Sequence, residues 1–430
     1  MIKSWASNVI AQLADGRTVR WKDGRLIKPI DALQGNNALT TLPNGLTVRH
    51  GGTKPISNTE SVIAIKTCPR RKIVLMLTHD HHILLESEAS RGLVDITSLV
   101  HMLLNVPKAD AEYSIKELRV AGETAVARSE HRICAIIITG YAASNGKLVA
   151  DTHTYSLQSP ITKFGCCYGR GYVVTEDNKL SMIGNDVYYE DNTMRNSPHI
   201  SSPIEIDFAN VAGIREIICG YVFGLLLMND GSVYARGLGP RTGEVCNKPF
   251  SQVLFPYSDS ITKIVTDGTK IIYITLEGTC YYTDIRVRPY PGASDSLCLH
   301  PSPLQSLYGR FVTGAFILDH FIVFQYDTDK LCLMYLYTQA YPVESQLAFS
   351  YQTGAMSPID IPFYDDKGIV SIVQADGFVY FTTSEGYVYQ TESGFIHCDH
   401  SMVRVPFFDE NPVAVSDAAS TIPSALSVLD

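Results

Sequence analysis

Short apolar runs of Val, Ile, Leu, Tyr and Phe alternate along this chain with breaks that carry glycine and acidic residues. The grouping is clearest in two stretches of 24 residues, Ile161–Gly184 and Ile214–Gly237. Each reads as a strand, a short break, a second apolar strand, an acidic turn (Asp177-Asn178 or Asp230-Gly231) and a third strand. Such turn pairs accept the positive φ that tight hairpins require. The flanking β-branched and aromatic residues suit a pleated, buried surface. Several short strands per unit, repeated at a period near 50 residues, are the pattern of a radial repeat, a β-propeller.

The acidic turn can be followed through the chain as Asp80, Glu130, Asp177, Asp230, Glu277, Asp327 and Glu385, in steps of 47 to 58 residues. Ahead of most markers stands an apolar pair three residues apart: Ile115/Leu118, Ile161/Phe164, Ile214/Ile217, Ile261/Ile264 and Ile369/Ile372. We read this pair as the strand that opens each blade. Seven markers predict seven blades over 60–408. Two shorter units with turns at Asp15-Gly16 and Asn44-Gly45 precede them in 1–59, too close together for two full blades. They either form one extra blade or pair with C-terminal strands to close the ring, which would remove exposed sheet edges. Residues 409–430, rich in Ala, Ser and Pro, read as a loose tail. One segment departs from the β pattern: residues 91–105 carry apolar positions at 93, 96, 99, 100, 103 and 104, with Pro107 beyond. That spacing predicts a short helical insertion packed on the ring.

Composition narrows the function classes. Apolar residues make up 45% of the 430 positions and charged residues only 18%, which suits short buried strands and not disorder. Net charge is −9, with no block of consecutive Lys or Arg, so nucleic acid is disfavoured as the main partner. No apolar run reaches the length that spans a bilayer, and the N-terminal residues lack the apolar core of a secretory signal. Ten cysteines fall mostly within apparent strands, as buried thiols would. A reducing compartment is expected, either the cytoplasm or an intracellular or viral particle.

The run Ile214-x-x-Ile217-x-Cys219-Gly220, followed by an apolar strand, Asp230-Gly231-x-Val233-Tyr234 and Gly237, resembles the repeat of the regulator-of-chromosome-condensation propellers. Residues 214–243 carry the best match and 161–185 the next; the other copies match in spacing and apolarity. The resemblance implies a seven-bladed ring. It also implies a role among those of that family: nucleotide exchange on a small GTPase, chromatin binding, enzyme inhibition or protein interaction. The family's Trp-Gly and Gly-Gln-Leu-Gly signatures are missing from every copy, and the two tryptophans, Trp5 and Trp21, lie outside the main repeats. No exchange-factor residue is therefore transferred.

Motifs for catalysis or metal binding do not stand out. His79-Asp80-His81-His82 sits in a hairpin turn, where neighbours face opposite sides. His397-Cys398-Asp399-His400 is too tightly spaced for a structural zinc site. Gly237–Gly243 lacks the Lys-Ser/Thr ending of a phosphate loop. No catalytic, cofactor or metal residue is assigned. Long polar or Pro-rich stretches follow the third strand at 185–196, 237–246, 284–296 and 338–357. Sharing one point of the repeat, they should emerge on one face. They carry Tyr188, Tyr189, Arg195, Arg241, Arg286, Arg288, Tyr290 and Tyr341, residue types that concentrate in binding hot spots but also occur on ordinary loops. The sequence thus points to a non-enzymatic propeller that binds a protein through one face. Two alternatives stand beside it: a structural subunit of a large assembly such as a phage virion or tail, and a guanine-nucleotide exchange factor for a small GTPase.

Overall fold

The structure is a computed structural model. It describes residues 2–5, 8–14, 18–22, 25–27, 39–41, 47–49, 62–68, 73–78, 82–87, 94–105, 115–121, 124–142, 147–167, 170–184, 187–190, 193–196, 200–220, 223–236, 249–257, 260–284, 301–318, 321–327, 330–335, 358–361, 368–375, 377–392, 402–410, 412–413 and 415. Between 62 and 404 the chain forms the seven expected blades, each built on a meander of four antiparallel strands taken in chain order. Their first strands are Val62–Cys68, Glu117–Ala121, Ile161–Cys167, Ile214–Cys219, Ile261–Thr266, Val312–Ile317 and Ile369–Ala375. Neighbouring first strands touch along most of the ring and form its inner wall. The second strands are buried along most or all of their described length, throughout at Arg170–Thr175 and Lys270–Thr275. Burial on both faces is why the sequence shows unbroken apolar runs there and not alternation.

The apolar pairs have a geometric cause. In a regular strand, residues i and i+3 point to opposite faces. Here a one-residue bulge follows the first position of the inner strand in six blades, between Val62/Ala64, Ile161/Lys163, Ile214/Glu216, Ile261/Lys263, Val312/Gly314 and Ile369/Ser371. Two residues then oppose one, which returns i and i+3 to the same side. Ile161 and Phe164 share one core, Ile214 and Ile217 another, and Ile369 and Ile372 a third. In three blades a threonine occupies the bulge and donates to a second-strand carbonyl: Thr162 to Val174 at 3.1 Å, Thr262 to Ile274 at 3.1 Å and Thr313 to Gln325 at 3.4 Å.

The acidic turns join blade to blade. The amides of Glu176, Asn229, Leu276, Asp327 and Ser384 donate to the carbonyls of Pro160, Gly213, Ser260, Phe311 and Gly368, each just ahead of the same blade's first strand. Glu130, Gly231 and Gly278 in turn accept from Ile161, Ile261 and Val312, the residues that open the next blade. Glycine serves this turn twice over. Gly231, Gly278 and Gly386 have φ of +83°, +76° and +85°, and a Cβ on any of them would strike the following segment.

Residues 2–27 form a further four-stranded sheet, Ile2–Trp5, Asn8–Gln12, Thr18–Lys22 and Arg25–Ile27. Its strand Ile2–Trp5 touches both Ile369–Ala375 and Val62–Cys68, so the sheet sits between the seventh and first blades as the eighth member of the ring. Leu39–Thr41 and Thr47–Arg49 form a hairpin that adds to the second blade, with Thr41 opposite Val149 in parallel. Past the last blade, the described C-terminal residues pack against the N-terminal sheet. Phe407–Glu410 is a helical turn with Phe408 fully buried, and Val413 pairs with Leu13. Residues 416–430 lie outside the described residues.

The helix occupies Thr97–Leu104, shorter than the expected 91–105, because Val94–Asp95 is the fourth strand of the first blade. Asp95, one residue ahead of the N-cap Ile96, accepts from the Thr97 amide at 2.9 Å. Asn105 ends the helix in the left-handed region. Ile96, Leu99, Val100 and Leu104 wedge between the first blade (Leu75, Leu77, Ile83, Leu85) and the second (Ala125, Cys134, Ile136). Among the described residues, no helix is long and apolar enough to cross a membrane.

Candidate functional site

An antiparallel meander sends its first-to-second and third-to-fourth connections to one end. Its second-to-third turns and the crossings to the next blade go to the other. The ring therefore has an insertion face and a turn face. The longest third-to-fourth connections link Gly184 to Ile200, Arg236 to Ser251, Asp284 to Ser302 and Tyr335 to Ile359, in four consecutive blades. All four leave and return on the insertion face.

Three of the residues singled out from the sequence have a described backbone. Tyr188 and Tyr189 lie on Val187–Glu190, which pairs with Thr193–Asn196 in a two-stranded ribbon, and Arg195 stands directly opposite Tyr188. Arg241, Arg286, Arg288, Tyr290 and Tyr341 lie outside the described residues, as do His79–His81 and His397–His400. His82 is described and bonds Asp95 through Nδ1 at 2.8 Å.

The first-to-second connections brace this face. In the fifth blade, Asp267 accepts from the amides of Thr269 and Lys270 and from the Thr269 hydroxyl, each at 2.8 Å. The fully buried Lys270 ammonium pairs with Asp267 at 3.4 Å and donates to the Leu318 carbonyl of the next blade at 3.3 Å. Burial works against the charged form of Asp267, but these donors outweigh it and hold the carboxyl below the ordinary aspartate value.

Aligning the blades on their apolar pairs exposes a set of residues that reading the runs alone passed over. The position two residues after the first member of each pair, just past the bulge in blades three to five, is Glu117, Lys163, Glu216 and Lys263 in blades two to five, an alternation of charge along the inner wall. Glu117 bridges two arginines: Arg119, and Arg128 at 2.9 Å. Arg128 also donates to the Ile161 carbonyl of the third blade at 3.1 Å, and the Arg119 guanidinium lies 5.5 Å from the Phe164 ring centroid. Burial raises the Glu216 carboxyl above its usual value against the pull of Arg215, Arg119 and Lys263. Burial likewise lowers the Lys263 ammonium, with Glu216 opposing it. Cys134, Cys166, Cys219, Cys280 and Cys332 are free thiols, and burial pushes Cys134 up to about 12 and Cys332 to about 11. Such thiols are protonated at neutral pH and poor nucleophiles. Among the described residues, no group of three or more His, Cys, Asp or Glu is placed to hold a metal.

No protein-family model matches the sequence, and no curated protein matches it either. Solved structures that are similar include human WBSCR16, 13% identical over 68% of this chain and 82% of that one, with a TM-score of 0.43. Yeast RCC1 (Prp20), in a complex with Kap60, is 15% identical over 64% of this chain and 66% of that one, with a TM-score of 0.38. BamB from Moraxella catarrhalis is 8% identical over 91% and 92%, with a TM-score of 0.41. Chromosome-condensation regulators thus stand among the structural neighbours. The propeller assignment itself rests on the sheets and their ring order.

Proposed function

We propose that this chain is a non-catalytic β-propeller that binds a protein partner through the loops of its insertion face. The contact residues in this reading are Tyr188, Tyr189, Arg195, Arg241, Arg286, Arg288, Tyr290 and Tyr341. One observation carries it: the four long connections of consecutive blades start and end at the same point of the repeat. A rigid ring that gathers variable, Tyr- and Arg-bearing loops on one side is a binding scaffold. The braced connection at Asp267 and Lys270 supplies the stiffness that keeps such loops in register with one another.

The test is affinity capture of partners by the full chain and by two variants, Arg286→Ala/Arg288→Ala/Tyr290→Ala and Tyr188→Ala/Tyr189→Ala/Arg195→Ala. A defined partner of the parent chain should be recovered at least tenfold less by one or both variants. The same partner retained in full by both would overturn the reading. Accelerated nucleotide release from a small GTPase, abolished by the same substitutions, would narrow the reading to an exchange factor.

A further inference from the structure

The turn face carries a surface of different chemistry. Of the nine large apolar side chains exposed among the described residues, five belong to one stretch of this face: Leu254, Tyr257, Leu276, Tyr308 and Phe311. All lie in the crossings between blades four, five and six or in the acidic turn of blade five. Backbone hydrogen bonds tie the turn to both crossings. The Leu276 amide donates to Ser260 on one side, and Gly278 of the same turn accepts from Val312 on the other. The Phe311 ring lies so close over Gly278 that a Cβ there would stand 2.9 Å from its Cδ2. Leu276 is 63% exposed, Tyr257 55%, and Phe311 and Tyr308 51% each, so none of these side chains is needed to fill a core. Single apolar residues are ordinary on a surface, but five of them, three aromatic, on two neighbouring crossings and the turn between them point to an interaction site.

Charge on this face selects the occupant. Every blade whose acidic turn is described presents an exposed carboxylate here: Glu130, Asp177, Asp230, Glu277, Asp327 and Glu385. The basic groups nearby are largely engaged. Lys179 faces Asp177 at 3.8 Å and Lys330 faces Asp327 at 3.4 Å. Arg310 is bound by Asp360 and lies 4.5 Å from the Tyr326 ring centroid, Arg215 donates to the Thr262 carbonyl, and Lys116 is exposed. Among the described residues no lysine or arginine pairs with Asp230 or Glu277, and on a chain of net charge −9 such carboxylates beside apolar side chains favour a basic occupant over an anionic membrane or nucleic acid. We infer that the turn face of blades four to six docks a basic protein segment whose apolar side chains seat on Tyr257, Leu276, Tyr308 and Phe311. This surface is separate from the insertion face, so the two readings stand or fall independently.

The test uses three fluorescein-labelled synthetic peptides of equal length, measured by anisotropy against the full chain. They are a lysine–leucine peptide, a lysine-only peptide and a glutamate–leucine peptide. The lysine–leucine peptide should bind at least tenfold more tightly than either of the others, and more weakly as salt is raised. Leu276→Asp/Phe311→Asp should weaken it at least tenfold, while Arg286→Ala/Arg288→Ala/Tyr290→Ala leaves it unchanged. Tyr257→Asp/Leu276→Asp is the second variant should the first not fold, and unchanged thermal midpoints confirm that either one folds. Equal binding by the lysine-only or the glutamate–leucine peptide would overturn the inference, as would no binding or binding that ignores both variants. Self-association by light scattering, or adsorption to phosphatidylcholine vesicles, that Leu276→Asp/Phe311→Asp abolishes would overturn it too, by assigning the patch to a second copy or to lipid.

Discussion

Leu13 and Val413 form an isolated antiparallel pair that joins opposite ends of the described chain. Next to it, the Ala14 amide donates to Pro412 at 2.8 Å, and the Val413 amide donates to Gly386 at 2.9 Å. The arrangement repeats that of an ordinary blade. In the fourth blade Ile214 opposes Met228, and the next amide, Asn229, donates to Gly213. Val413 thus stands where a first strand begins, and Ile2–Trp5 supplies the rest of that strand, starting with Ile2 opposite Ala11. The inner strand of the N-terminal sheet is assembled from two distant pieces of chain.

Closure of this kind should be measurable as stability. Val413 is 2% exposed and packs with Leu13, Val388, Val405 and Phe408. Val413→Ala should cost about 2 kcal/mol, read as a fall in the urea midpoint at unchanged slope. An unchanged midpoint would mean that the docked segment does not hold the ring.

Two glycines of similar backbone separate conformation from contact. Gly386 (φ +85°) would place a Cβ 2.4 Å from the Val413 carbonyl oxygen, whereas Gly377 (φ +80°) has nothing within 4 Å. Both alanine variants bear the left-handed cost, but Gly386→Ala also displaces the closing segment and should be the worse by about 1–3 kcal/mol. Equal losses in denaturant titration would show that only φ matters there.

The buried Glu117 should be costly to remove because it leaves Arg119 and Arg128 without their carboxylate. Glu117→Ala is expected to lose about 3 kcal/mol. A double-mutant cycle with Arg128→Ala should give a clear coupling energy, and strict additivity would contradict the bridge.

Asp267 gives the pH dependence its sign. Its carboxyl is held lower in the folded chain than in the unfolded chain. The stabilisation is therefore present above the ordinary aspartate value and is lost as the pH falls through the depressed folded value. Asp267→Asn, which leaves the buried Lys270 without its counter-charge, should cost about 3 kcal/mol at neutral pH. Thermal melts should show the gap closing in acid. A gap that widens in acid would contradict this.

Much of the ring was legible because its punctuation is local. The acidic turns need residues that tolerate positive φ, and those residues are few. The apolar pairs mark a bulge that recurs in six blades, so their odd spacing survives where identity has drifted. What the sequence hid depends on distant segments. Nothing local in Leu39–Thr41 tells it to pair in parallel with Val149, and nothing in Val413 names Leu13 as its partner. The helix was legible as a period but not in extent, because Val94–Asp95 belongs to a strand by virtue of its pairing with Leu84 and Leu85. Of the residues proposed for the insertion face, Tyr188, Tyr189 and Arg195 have a described backbone, on a ribbon whose pairing the polar sequence of 185–196 does not announce. Leu276 and Phe311 gave no signal, because exposure of an apolar residue at a blade crossing is a property of the assembled ring.

A designed disulfide tests the closed ring itself. In Leu13→Cys/Val413→Cys, the antiparallel pairing brings the two Cα atoms within the range a disulfide bridges. Mild oxidation followed by peptide mapping should find the 13–413 linkage in most of the protein, together with a raised thermal midpoint that reductant reverses. A 13–413 linkage no more abundant than that of the control Leu13→Cys/Leu304→Cys, whose second site lies on the fifth blade, would mean that the ring is not closed through this pair.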